Sequence, residues 1–359
     1  MLHFVFFWRL TQEKGIDLIL DSFLRLHNEW VNNWKLSIFG DGPYNAACTQ
    51  ADKRCPNITF YGRTKQAEIH SHLPEMDYAI MPSRIIETFW KSALESIYYG
   101  VPVIWFKQWW LEQFIEDIHA IHDKNLYNTV LYLIKNNVIP NKEEYHQKAL
   151  LYNKDAWMQK VISCIGTVPR ITYVSDFIDQ IWWIETFLRE SKTLLEDNWY
   201  KVSLFGAHGK PNILQMCFAW IGNILIAYQL FQHRRKNIPG TIRYHSLIRR
   251  IWWLWVQPRS LHYAQFITIH DMGYFHPYPS RLYYVKYVPA FSLKQRMAVW
   301  QSRKQKIMIS FKFISMRLLR ERLTKKIDTW FVPSEFMVEI LHTRRKIPKE
   351  KIVVLPHFI

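Results

Sequence analysis

Short apolar runs recur along the chain, each followed by a longer stretch with helical spacing. In the first half they lie at residues 4–7, 36–39, 58–61, 78–81 and 101–105. In the second half they lie at 171–174, 202–205, 241–244, 266–269, 330–332 and 352–355. These runs are rich in Val, Ile, Phe and Tyr and do not alternate with polar residues. Strands of that kind are buried on both faces, and their alternation with helices predicts parallel sheets covered on both sides. Two such series in 359 residues predict an α/β chain of two doubly wound domains, each with its own core. The junction is expected near Gly166-Thr167-Val168-Pro169, after a helical run ending around Cys164, giving domains of residues 1–165 and 166–359.

Ligands of doubly wound sheets sit at the carboxyl ends of the strands. The polar residues after the run at 78–81 are therefore of interest. Glu87 and Glu95 stand eight positions apart, where the strand pattern gives way to a helical one. That is a little over two turns, so a glutamate ahead of the helix and one inside it can face the same side. Ionised carboxylates only accept hydrogen bonds, so such a pair can hold the vicinal hydroxyls of sugars and riboses. Two solvated glutamates flanking a helix start would give the same pattern.

The neighbouring segments sharpen this reading. FVFFWRLTQEKGID (4–17), KLSIFGDGP (35–43), NITFYGR (57–63), YAIMPS (78–83), the double-Glu segment and YGVPVI (99–104) follow in order. Together they resemble the donor-nucleotide domain of the family 4 (group 1) retaining glycosyltransferases. The second half, with RITYVSDFIDQIWWIE (170–185), TIRYHS (241–246), FITIHDMGYFHPYPS (266–280), WFVPSEFMVEIL (330–341) and the ending KIVVLPHFI, resembles the other, acceptor-side domain of the same enzymes. The resemblance implies the GT-B fold, two Rossmann-like domains, here in reversed order. A circular permutation and a fusion of two genes both remain open as its origin.

The resemblance also implies roles. Arg9 and Lys14 would neutralise the leaving diphosphate. Glu95 would take the ribose hydroxyls and Glu87 the transferred sugar. The backbone amides of Phe89, Trp90 and Lys91 would meet the sugar and phosphate at a helix N-terminus. His270 would face the donor sugar from the second domain, with Asp271 beside it and His245 on the acceptor side. Trp182 and Trp183 occupy the place of the family's glycine loop beside the diphosphate. The implied reaction transfers a sugar from a nucleotide-diphosphate sugar to a glycan or lipid-linked acceptor with retention of configuration. It needs no cofactor and no metal; His119, His122 and Asp123 lack matched partners for a metal site.

Composition adds one anomaly. The chain has 17 tryptophans and 11 glycines, against an ordinary glycine usage of about 7%. Trp8, Trp90, Trp105, Trp109, Trp110, Trp182, Trp183 and Trp199 fall where the family carries glycine. Glycine serves there because the backbone takes positive φ or approaches a phosphate closely, which an indole prevents. One explanation is a source lineage that reads the codon UGA as glycine; the other is a genuinely Trp-rich, inactive relative. Trp34 and Trp157 need no glycine.

The net charge of +17 asks for an anionic partner: a nucleotide diphosphate, an anionic membrane surface or nucleic acid. The cations concentrate between Lys294 and Lys351, mixed with apolar residues, as in a segment lying on a bilayer or in helices with one buried face. No nucleic-acid motif is visible. The four cysteines show no metal spacing and suit a reducing compartment. The start MLHFVFFWRL lacks the features of a secretory signal, and the uncharged run 211–233 carries too many amides for a bilayer span. The expected location is therefore cytoplasmic, at or near the inner face of the membrane. Two rival functions stay open: a sugar-nucleotide epimerase on the same fold, and an inactive protein that binds anions or membrane.

Overall fold

The computed structural model describes residues 1–84, 91–106, 120–121, 125–166, 170–177, 183–207, 241–245, 265–268 and 327–358. It is α/β, with two Rossmann-like units, one built on Met1–Asn153 and the other beginning at Lys154.

Unit 1 carries strands β1 (Leu2–Phe7), β2 (Trp34–Phe39), β3 (Ile58–Gly62), β4 (Tyr78–Met81), β5 (Val103–Phe106) and β6 (Ala120–Ile121). They form one sheet in the order β3-β2-β1-β4-β5-β6, and every pairing is parallel. Its helices are α1 (Ile16–Asn28), α2 (Asn45–Arg54), α3 (Gln66–His72), α4 (Lys91–Tyr98), α5 (Leu126–Lys135) and α6 (Lys142–Leu150). β6, only two residues long, is the one strand here that the apolar runs did not predict. Helix α1 buries Ile16, Ile19, Leu20, Phe23 and Leu26, one stripe at helical spacing. Its Phe23 meets Phe4 of β1 edge-on at 5.3 Å and Trp34 of β2 at 5.0 Å. Phe4 stacks on Tyr78 of β4 at 5.8 Å. One aromatic chain thus ties the three central strands to the first helix. Cys48 lies within this core, and burial pushes its thiol up to about 11.

Unit 2 begins with α7 (Lys154–Ile165), followed by β7 (Arg170–Phe177), α8 (Trp183–Asp197), β8 (Lys201–Ala207), β9 (Thr241–His245), β10 (Gln265–Thr268), β11 (Thr329–Val332), α9 (Glu335–Arg345) and β12 (Ile352–Val354). Its sheet, again wholly parallel, runs β12-β11-β10-β9-β7-β8. The strand order differs from that of unit 1. Among the described residues it reverses between β7 and β9, whereas unit 1 reverses between β1 and β4. The contact division falls at the start of α7 rather than at its end, the boundary expected from sequence. Trp157 of α7 meets Phe187 of α8 edge-on at 5.8 Å, which accounts for that grouping.

No helix among the described residues is long and apolar enough to cross a membrane. The run at 211–233 and most of the basic segment after Lys294 lie outside the described residues.

At the lower edge of the unit 1 sheet, the His3 ring nitrogen Nε2 lies 3.0 Å from the Ser37 hydroxyl, and the His3 N–H donates to Asp77 at 2.8 Å. Burial, helped by Lys35, holds the His3 imidazole below its ordinary value of 6.5, against the opposing pull of Asp77 and Glu75. The unfolded chain therefore takes up this proton first as pH falls. The contribution of His3 is present above pH 6.5 and is lost as pH falls through its lower folded value. Urea midpoints measured from about pH 7.5 down to about pH 5 should fall less steeply in His3→Gln than in the parent. Equal slopes would exclude His3 as a source of that dependence.

Candidate functional site at the switch point of the first sheet

Between β1 and β4 the strand order of unit 1 reverses, and doubly wound sheets receive ligands in the crevice at such a point. The loop after β1 holds Trp8, Arg9 and Leu10, then a 3-10 turn, Gln12–Lys14, and Gly15, which leads into α1. Leu10 is fully buried and anchors the loop. Its N–H donates to the Asp41 carbonyl at 3.0 Å, and its carbonyl accepts from the Tyr44 N–H at 3.2 Å. Gly15 takes φ 77°, and its N–H closes the turn on the Gln12 carbonyl. A Cβ at this position would meet the Pro82 carbonyl oxygen at 2.3 Å. The turn carrying Lys14 is therefore pressed backbone to backbone against the loop after β4. Arg9 is exposed and Lys14 half-buried beside that contact.

A residue that sequence reasoning missed completes the junction. Arg84 forks onto Asp17 with two bonds, of 2.7 and 2.6 Å. Its own N–H donates to the Glu13 carbonyl at 2.8 Å, and its side chain also reaches the Gln12 carbonyl. The Ser83 hydroxyl donates to the Glu13 carbonyl at 3.4 Å. A bidentate guanidinium–carboxylate pair fixes orientation as well as distance. It latches the Lys14 turn to the start of the segment that leads to Glu87. Its partners are 67 residues apart, so no local pattern announces it.

Helix α4 supplies Glu95. Residues Ala93, Leu94, Glu95, Ser96 and Ile97 are all buried, and Glu95 is only 6% exposed. Gln66, the first residue of α3, donates its amide to Glu95 Oε1 at 2.7 Å. His70, one turn further along α3, places Nε2 3.8 Å from Oε2 and its ring 5.3 Å from that of Tyr99. Burial, the neighbouring Tyr98 and Glu95 raise the Tyr99 phenol above its ordinary value. His70 Nε2 has no partner at hydrogen-bond distance among the described residues. A carboxylate accepts up to about four hydrogen bonds, so a single neutral amide leaves it with acceptor capacity to spare. A buried carboxylate with spare acceptors is a receptor for hydroxyl donors. Gln66 and His70 were not legible in the sequence, because only the β3–α3 crossover brings them to α4.

The structure places Arg9, Lys14, Lys91 and Glu95 in the first unit, at the carboxyl end of its sheet or on the helices that start there. Glu87, Phe89 and Trp90 lie outside the described residues, as do Trp182, His270, Asp271, Trp109, Trp110 and the His119, His122 and Asp123 group. Trp183 is the first residue of α8. His245 ends β9, in register with Ser175 of β7 and Thr268 of β10, at the carboxyl end of the second sheet. Trp8 is half-buried, its ring 4.2 Å from that of Phe7. Trp105 sits in β5 and is 2% exposed, in register with Met81 and Ala120. Neither takes a positive φ, so the backbone does not demand glycine at 8 or 105. Among the described residues no group of His, Cys, Asp and Glu is arranged to hold a metal ion.

Residues 2–136 match the family described as "Glycosyl transferases group 1". The match spans β1 to α5 and supports a glycosyltransferase of this kind for unit 1. No curated protein matches the chain. Three solved structures are similar in part. The catalytic domain of cholesterol-alpha-glucosyltransferase from Helicobacter pylori is 16% identical over 42% of this chain and 99% of that one, with TM-score 0.36. The pneumococcal O-GlcNAc transferase GtfA, solved with UDP and GlcNAc, is 18% identical over 45% of this chain and 35% of that one, with TM-score 0.38. Anabaena HepE, solved with UDP-glucose, is 16% identical over 41% and 43%, with TM-score 0.34.

The tight contact at Gly15 has a measurable consequence. Gly15→Ala should destabilise unit 1 by about 2 kcal/mol or more, since it adds a clash with backbone to an unfavourable φ. Gly62→Ala, with φ 69° and nothing within 4 Å of the new Cβ, should cost only about 1 kcal/mol. Urea unfolding of both variants checks the difference; equal losses would mean that the Lys14 turn is not held against Pro82.

Proposed function

We propose that the chain is a retaining glycosyltransferase that takes a sugar from a nucleotide-diphosphate donor held at the switch point of the first sheet. The observation that carries this reading is the match of residues 2–136 to the group 1 glycosyltransferases, a range that includes Arg9, Lys14 and Glu95. Glu95, buried and with spare acceptor capacity, receives the ribose hydroxyls. Arg9 and Lys14 stabilise the diphosphate, whose negative charge grows as it departs. Glu87 and the amides of Phe89, Trp90 and Lys91 are assigned to the transferred sugar, and His270 and Asp271 are further candidates for acting on it. His245 lines the acceptor side. The glycine loop at 182 and 183 lies against the diphosphate. This arrangement requires glycine at 90, 182 and 183, as recoding of UGA supplies. The whole is a GT-B enzyme with its donor domain first, and no metal or cofactor takes part. The acceptor is a glycan or lipid-linked glycan of the cell envelope, and the net charge of +17 supports contact with the anionic membrane surface where such acceptors are displayed.

The test is titration of the glycine-restored protein with UDP- and GDP-sugars, with turnover followed in parallel. Glu95→Ala should weaken nucleotide binding by about 1–3 kcal/mol, the worth of its hydroxyl contacts. The Arg9→Ala, Lys14→Ala double variant should lose more in turnover than in binding. Unchanged transfer in the double variant would place the diphosphate elsewhere. Binding to anionic vesicles without any nucleotide binding would favour an inactive surface-binding protein instead.

A further inference from the structure

Four helices among the described residues end with the same hydrogen-bond wiring. At the end of α4, the Gly100 N–H donates to the Ile97 carbonyl at 2.9 Å and the next N–H, of Val101, donates to Ser96 at 3.0 Å. At the end of α5, Asn137 donates to Ile134 at 3.2 Å and Val138 to Leu133 at 3.0 Å. At the end of α1, Trp30 donates to His27 at 3.1 Å and Val31 to Leu26 at 3.0 Å. At the end of α8, Trp199 donates to Glu196 at 3.2 Å and Tyr200 to Leu195 at 3.1 Å. This is the Schellman motif, whose first residue past the cap is left-handed. The φ values there are 74° at Gly100, 45° at Asn137, 60° at Trp30 and 69° at Trp199.

Glycine takes this conformation freely, and asparagine tolerates it. A bulky side chain at positive φ is an outlier that needs compensation. The two indoles receive none. Trp30 is 85% exposed and Trp199 93% exposed. Four other described tryptophans behave differently: Trp34, Trp105, Trp157 and Trp330 are at most 4% exposed, and none takes a positive φ. The tryptophans thus include one set that fills cores and another that stands where a chain turns left-handed and touches little. Both exposed ones also occupy the same place in their units, between the helix that follows the first strand and the second strand of the sheet. An excess of tryptophan over glycine in the whole chain is what such a mixture produces.

We infer that positions 30 and 199 are glycine in the cell that makes this protein, encoded by UGA, a codon one base removed from both UGG for tryptophan and GGA for glycine. Position 30 is assigned by backbone conformation alone. The inference concerns helix termini remote from the donor chemistry, so it stands or falls independently of the sugar-transfer reading. It nevertheless bears on that reading, because the same codon at 90, 182 and 183 would clear the donor site of indoles.

Two measurements test it. The first is the codon at positions 30 and 199, expected to be UGA at both, with UGG at the core positions 34 and 157. The second is the thermal midpoint of the full chain with tryptophan at both positions and of its single variants. Trp30→Gly and Trp199→Gly should each raise the midpoint by about 2–4 °C, as release of left-handed strain does in a chain of this size. Trp34→Gly should lower it by more than that. UGG at position 30 or 199 would overturn the inference outright. A midpoint that stays level or falls in either glycine variant would overturn its physical basis. Loss of sugar-nucleotide binding in other experiments would leave it untouched.

Discussion

Strand β1 is the member on which unit 1 depends. Its Phe4, Val5 and Phe6 are completely buried, with β2 on one side and β4 on the other, both parallel. Parallel neighbours require crossover helices, and those helices cover both faces of the sheet. The same geometry sends every strand's carboxyl end to one edge. The order reverses at β1, and the loops after β1 and β4 meet there, Gly15 against Pro82 and Arg84 on Asp17. The Phe23, Phe4 and Tyr78 stack holds these strands in register with α1, and so indirectly sets the separation of the loops above them.

What gathers at that edge is specific. The Lys14 turn is fixed from three directions: by Gly15 against Pro82, by Leu10 against the loop after β2, and by Arg84 clamped on Asp17. Cationic side chains on a loop this firmly held meet an anion with little further ordering cost, which is how preorganisation raises affinity. Glu95 is held differently. It is buried, and among the described residues it accepts one hydrogen bond, from Gln66, which leaves acceptor sites for a ligand that brings hydroxyl donors. Gln66 and His70 form the wall behind it and keep its rotamer.

Much of this was legible along the chain, for physical reasons. Buried parallel strands must be continuously apolar, and each apolar run proposed from the sequence overlaps a strand of the structure. β6 was not legible, since two residues, Ala120 and Ile121, make no run. The division between units was displaced because α7 resembles any amphipathic helix, and only its Trp157 contact with Phe187 shows which core it joins. Arg9 and Lys14 lie in the loop after β1 and Glu95 lies in α4, the local settings that the strand-then-helix pattern predicted for them. Arg84, Gln66 and His70 could not, since each acts through a partner distant in sequence. Glu87, His270 and Asp271 lie outside the described residues. Trp30 escaped notice because a helix terminus is read from backbone dihedrals, although a C-terminal cap between a helix and a strand is where a glycine is first sought.

The helix ends and the donor crevice meet in one requirement: the backbone must be free where it turns left-handed or approaches a phosphate. The central claim, that the crevice between β1 and β4 receives a nucleotide-diphosphate sugar, is tested most directly by amide hydrogen exchange with and without UDP- or GDP-sugar on the chain carrying glycine at 90, 182 and 183. The account predicts slower exchange in residues 8–15, at the start of α3 and in the first turns of α4, with α5 and α6 unchanged. Protection confined to other segments, or none at saturating sugar nucleotide, would contradict it.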